Sequence, residues 1–180
     1  MRWLAACLAL LPVSALAAVP DYDLVELVYF HVHADSFGTR TGYQANGSLD
    51  LGQGFFGEAT DYHVTGSGTT VNSYLAGAGY RRSYELTDVF GSVDYLHVAK
   101  DSPLGSARQD GYRWVWGLRS AVNDRLELNT GVEKANVGNT ATGIRAGVSY
   151  KFLGDHLALR AQYVWSSDAK TWVLGLRYLY

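Results

Sequence analysis

The sequence predicts an all-β fold: an antiparallel up-and-down transmembrane β-barrel of ten strands, with eight as the alternative count. Three observations carry this expectation. Segments of about ten residues alternate apolar and polar side chains with the period of two that a strand imposes. Clusters of Gly, Ser, Asn and Asp punctuate them. No run of ~18 apolar residues follows the N-terminal stretch, which excludes helical membrane spans.

Composition points the same way. The chain has 180 residues, enough for one domain. Mean hydropathy is near zero, as expected when alternation hides an apolar face from the average. A net charge of −2 removes the bulk electrostatic drive toward nucleic acid, so no such partner is expected. Lys is scarce beside Arg, whereas a soluble β-protein spreads Lys over its outer face.

Residues 1–17 read as a cleaved secretory signal: Arg2, an apolar core, then Ala15-Leu16-Ala17 as the cut site. Residues 18–180 are then the barrel domain. Cys7 lies inside the signal and too early for a lipoprotein box, so the mature chain carries no thiol chemistry.

The first strand, 24–33, leaves its phase open: Val25, Leu27 and Tyr29 outward with Glu26 inward, or the reverse. A polar loop over 34–40 follows. In the second, 42–51, Tyr43, Ala45, Gly47, Leu49 and Leu51 oppose Gln44, Asn46, Ser48 and Asp50. The third, 55–64, sets Phe55, Gly57 and Ala59 against Glu58 and Thr60, with a loop at 65–70. The fourth, 73–81, sets Tyr74, Ala76, Ala78 and Tyr80 against Gly77, Gly79 and Arg81. A turn at 83–88 leads to the fifth, 89–98, where Val89, Val93 and Tyr95 oppose Ser92 and Asp94.

Residues 100–111, with Ser102-Pro103 and Gly105, read as the longest loop. The sixth strand, 112–121, sets Tyr112, Trp114, Trp116 and Leu118 against Arg113, Gly117 and Arg119. A hairpin at Asn123-Asp124 leads to the seventh, 125–134, with Leu126, Leu128 and Val132 opposing Glu127, Asn129 and Glu133. After a loop at 136–140, the eighth, 142–152, sets Ile144, Val148 and Tyr150 against Arg145, Gly147 and Ser149. The ninth, 156–166, sets Leu159, Tyr163 and Trp165 against Arg160 and Gln162. The last, 171–180, sets Trp172, Leu174, Leu176, Tyr178 and Tyr180 against Gly175 and Arg177. An even count returns both termini to one side, and short connections after the even strands mark that side as periplasmic.

The aromatics sort into two belts at headgroup depth: Tyr74, Trp114, Trp165 and Trp172 at one end, Tyr80, Tyr150, Tyr178 and Tyr180 at the other. The opposite faces bring Glu58, Arg81, Asp94, Arg113, Arg119, Glu127, Arg145, Arg160 and Arg177 into one lumen. Gly79-x-Arg81, Gly117-x-Arg119 and Gly175-x-Arg177 repeat one device, an inward Gly leaving room for an inward Arg. Arg119 and Glu127 should nearly face each other across their hairpin. Buried charges of this kind need partners, so a mixed-charge network filling the barrel is expected. An excess of inward Arg would favour anions if a path remains. His31, His33, His63 and His97 map to the rim on non-adjacent strands, too far apart for a metal or catalytic cluster. No catalytic, metal or cofactor site is expected.

The signal segment, the alternating strands, the inward Gly/Arg pairs and the terminal strand ending on Tyr180 together resemble the small outer-membrane barrels of gram-negative bacteria, the OmpA-barrel/OmpX-like group. That resemblance implies a bacterial outer-membrane location. It also implies partners in outer-membrane lipid and lipopolysaccharide, with periplasmic chaperones and the barrel-assembly machinery engaged during insertion. A monomer with a structural or surface-interaction role is the expectation. A narrow passive channel is the alternative, and a lipid A-modifying enzyme a more distant one.

Overall fold

The computed structural model describes residues 20–34, 38–167 and 169–180; the expected signal segment lies outside the described residues. Ten antiparallel strands close on themselves. They are β1 (Leu24–Ala34), β2 (Gly38–Gly52), β3 (Phe55–Gly66), β4 (Thr69–Tyr84), β5 (Thr87–Ser102), β6 (Gly105–Ala121), β7 (Leu126–Val137), β8 (Asn139–Leu153), β9 (Leu157–Ser166) and β10 (Ala169–Leu179). Each strand pairs with its sequence neighbours, and β1 pairs with β10 from Leu24↔Leu179 to Ala34↔Ala169. Closure leaves no edge strand, which answers the alternative of eight strands and pairs every strand on both sides through the body of the barrel.

The register fixes the barrel's shape. From Phe30 the pairs run one way through Val173, Gln162, Gly147 and Asn129 to Arg119. The other way they run through Gly42, Val64, Val71 and Lys100 to Ala107. Both circuits end on β6, twelve positions apart. A shear of that size over ten strands tilts them by about 40° and sets a backbone radius of about 10 Å.

The strands are longer at one end than the sequence suggests. Residues 100–111 are not a loop: β5 and β6 stay paired up to Ser102↔Gly105, with only Pro103 and Leu104 between them. Paired strands likewise replace most of the loops expected at 34–40, 65–70 and 136–140. Ser67 (φ 52°) and Gly68 (φ 71°) close their hairpin with two successive left-handed residues, the twist that suits a two-residue turn. The expected contrast of short against long connections is therefore absent. What differs between the ends is strand height, since β4, β5 and β6 rise past their neighbours. We call the end that holds Pro20 and Tyr180 the near end, and the other the far end.

Burial alternates along every strand. In β1, Val25, Leu27 and Tyr29 are exposed and Glu26 is 1% exposed, which decides the phase the sequence left open. Apolar side chains dress the outside: Leu27, Trp116, Trp172 and Leu174 are all about 60% exposed or more. The belt residues Tyr74, Trp114, Trp165 and Trp172, and Tyr80, Tyr150, Tyr178 and Tyr180, are all exposed. On β10, Trp172 and Tyr180 lie about 20 Å apart along the barrel axis at this tilt, close to the ~25 Å apolar band of transmembrane barrels.

Candidate functional site

The lumen narrows to a floor at the near end, and residues ahead of the first strand build it. Tyr22 continues the inward phase of Leu24 and Glu26 and is 4% exposed. Its ring packs on Phe56 (4.7 Å) and Phe90 (6.5 Å). The guanidinium carbons of Arg81 and Arg119 each lie 4.4 Å from its centroid, so the ring is held against two cations. Arg81 also donates to the Pro20 carbonyl (3.1 Å), and Asp23 accepts from the Asp50 amide (2.6 Å). Burial pushes the Tyr22 phenol up to about 12, against the opposing pull of Arg119.

Glycines make room for the rings. A Cβ on Gly117 would lie 2.8 Å from the Phe90 ring, and one on Gly79 would meet Phe56. The inward glycines of the Gly-x-Arg pairs on β4 and β6 thus receive aromatic rings from the neighbouring strand.

Ion pairs form two groups above and around this floor. Arg119 forks onto Glu127 (3.2 and 2.7 Å), and Arg177 reaches the same carboxylate at 3.3 Å. Arg177 Nε also lies 3.7 Å from Glu26, which accepts from Arg160 (2.6 Å) and Asn46 (3.0 Å). Arg81 pairs with Asp50 and, at 3.3 Å, with Asp88. Closer to the far end, Arg113 donates to Asp94 (2.8 Å) and stands 4.0 Å from Glu58. In the lower lumen the arginines are Arg81, Arg113, Arg119, Arg145, Arg160 and Arg177, and the acids are Glu26, Asp50, Glu58, Asp88, Asp94, Glu127 and Glu133. The expected excess of inward Arg is not there, because Asp88 and Glu26 join the lumen.

A cavity of about 430 Å³ remains above the floor. Its wall is mixed: Glu58, Leu75, Leu96, Arg113, Glu133 and Arg145 follow one another from β3 to β8, and Val164, Val173 and Phe30 complete the circuit on β9, β10 and β1.

Neither a family model nor a curated protein sequence matches the chain. Solved structures do. An outer-membrane channel from Pseudomonas putida F1 superposes with a TM-score of 0.54 at 12% identity, covering 92% of this chain and 98% of that one. The β domain of the Bordetella autotransporter BrkA gives 0.53 at 12% identity over 89% and 100%. The NanC porin gives 0.51 at 8% identity over 87% and 100%. The fold is that of the outer-membrane β-barrels.

Within this barrel, the sequence-derived lumen residues fall into three sets. Arg81, Arg119, Glu127, Arg160 and Arg177 gather at and just above the floor, while Glu58, Asp94 and Arg113 form the second group. Arg145 joins neither; its guanidinium carbon lies 5.7 Å from the Phe90 centroid. Sequence reasoning misses Asp88 and Tyr22; it puts Asp50 on the polar face of the second strand and Glu26 inward in one of two phases, without joining either to the lumen network. Asp88 reads from the sequence as part of a turn, yet it lies in β5 and shares its phase with Phe90, Ser92 and Asp94. Tyr22 shares its phase with Glu26, a signal available as soon as the phase of β1 is known.

The rim histidines point outward, and His33, His63 and His97 bond to strand neighbours. His63 Nδ1 lies 2.6 Å from Asn72 and its ring stacks on Tyr43 at 4.8 Å. His97 Nδ1 lies 2.7 Å from Asp110, which also accepts from the Tyr95 hydroxyl. His33 meets Thr39 at 3.2 Å. Among the described residues, no three His, Cys, Asp or Glu side chains converge as metal ligands.

Proposed function

We propose that the chain is an integral outer-membrane barrel, non-enzymatic and non-conducting, whose near end faces the periplasm and is closed by its own Pro20–Asp23 segment. One observation carries this reading: Tyr22 lies across the lumen floor, clasped by Arg81 and Arg119 and backed by Phe56 and Phe90. A ring held by two cations and two other rings leaves little room for a hydrated ion to pass. In this reading the apolar exterior contacts outer-membrane lipid and lipopolysaccharide, the barrel works as a monomer, and chaperones with the barrel-assembly machinery serve only its insertion. The role is structural, with the tall β4–β6 wall offered to the cell surface.

Conductance in planar bilayers tests it. The wild-type barrel is expected to stay silent, and Tyr22→Ala to produce steady openings, because removing the ring unblocks the floor. Steady openings of the wild-type protein would replace this reading with a narrow passive channel. Unchanged lipid A masses in cells with and without the protein check the absence of lipid-modifying activity.

A further inference from the structure

Nine charged side chains line the cavity, and seven of them belong to the ion pairs described above. Arg145 and Glu133 are the two that no ion pair within 4 Å claims among the described residues, although they sit on adjacent strands. The register explains why. Glu133 is paired with Gly143, and Arg145 with Gly131. Each side chain leans over the glycine opposite it: a Cβ on Gly143 would lie 3.4 Å from the Glu133 carboxylate, and one on Gly131 would lie 3.2 Å from Arg145 Nε. Glu133 therefore bends toward the far end and Arg145 toward the floor, where it reaches Phe90. The two glycines keep the anion and the cation from closing into a salt bridge, while each stays within the other's electrostatic reach. Beside Arg145 the wall continues through Val164, its register partner on β9, then Val173 and Phe30, an uncharged apolar stretch.

We infer that this cavity binds a small apolar zwitterion, its ammonium on Glu133, its carboxylate on Arg145 and its side chain against Phe30, Val164 and Val173. A site whose cation and anion stand a short distance apart with no salt bridge closed between them recognises a ligand with the complementary pair of charges. A ligand lacking either charge leaves a lumen charge desolvated and unpaired, which is the strongest way a site rejects an analogue. The volume, about 430 Å³, lies in the range of small-molecule pockets and accommodates an amino acid or a dipeptide. The inference rests on the closed-floor reading, because a solute entering from the far end is retained only if the lumen does not drain.

Calorimetry on the folded barrel in nanodiscs tests it, with three probes of one shape: L-phenylalanine, 3-phenylpropionate, which lacks the ammonium, and phenethylamine, which lacks the carboxylate. Phenylalanine is expected to bind saturably and at least tenfold tighter than either analogue. Arg145→Gln should abolish the preference for phenylalanine over phenethylamine, and Glu133→Gln the preference over 3-phenylpropionate. Heat-modifiable gel mobility confirms that each variant is folded. Absence of saturable phenylalanine binding, equal affinity for phenylalanine and 3-phenylpropionate, or variants that keep wild-type discrimination would each overturn the inference. Conductance of the same nanodisc preparation, transferred to bilayers, reports separately on the floor, so a leaking barrel is told apart from a closed one that binds nothing.

Discussion

At the floor of the barrel a few side chains decide whether the lumen is a tube or a cup. Tyr22 fills the space between Arg81 and Arg119, and its burial gives it a measurable signature. The folded state holds the phenol neutral, with its value raised to about 12 from an ordinary 10. Stability from that group is therefore fully present below about pH 10 and lost as the pH climbs through about 12. The urea midpoint in micelles should fall between about pH 9.5 and 11.5 more steeply for the wild-type barrel than for Tyr22→Phe, whose ring keeps the packing without titrating. Equal slopes for the two proteins would contradict a buried phenol. Glu26 gives a second residue-scale expectation. It is 1% exposed and neutralises Arg160 and Arg177 together. Glu26→Gln strands two guanidinium groups in the lumen and should cost roughly 3 kcal/mol by urea unfolding. Glu127→Gln, on a carboxylate that is 16% exposed, should cost less.

At the scale of strands, alternation does most of the work. Within the segments recognised as strands, the outward and inward faces of β2 to β10 could be read from the sequence, because a period of two allows no intermediate phase once a polar face is recognised. Only β1 resisted. Glu26 is the single charge within its apolar span, and His31 and His33 sit on the opposite face from it, so both phases carry polar groups. Pairing with β10 settled it, since Glu26↔Arg177 places the carboxylate on the arginine's face. The glycines test the element scale directly. A methyl group on Gly117 would meet the Phe90 ring at 2.8 Å and the Thr130 carbonyl at 2.6 Å. Gly117→Ala should therefore destabilise by about 1–3 kcal/mol, the usual cost of overpacking, whereas Gly47→Ala, with open space around it, should be nearly neutral. Similar unfolding midpoints for the two variants would remove the packing role assigned to Gly117.

For the whole molecule, the apolar exterior carries the membrane reading. Leu176 lies between the two aromatic belts on β10 and is exposed. Leu176→Arg should reduce folding into bilayers by about 2–4 kcal/mol, the cost of an arginine near the midplane of a barrel's lipid face. In vesicles with brominated acyl chains, Trp114, Trp116, Trp165 and Trp172 fluorescence should be quenched, since all four rings point outward. Unquenched emission from a folded protein would refute insertion.

The chain's sequence by itself determined the barrel architecture and, from the second strand on, which face of each segment points out, because alternation is a local property that successive segments repeat. Ring closure decided ten strands over eight. The sequence determined the Arg119–Glu127 proximity too, since a hairpin brings near neighbours together. Only the tertiary structure decided what the lumen does. Closure with a twelve-position stagger joins β1 to β10 and carries Glu26 to Arg160, 134 positions along the chain. It folds Tyr22 back under the strands, and it separates Arg145 from Glu133 by giving each a glycine to lean on. Such contacts depend on the stagger of the whole ring, which no single segment encodes.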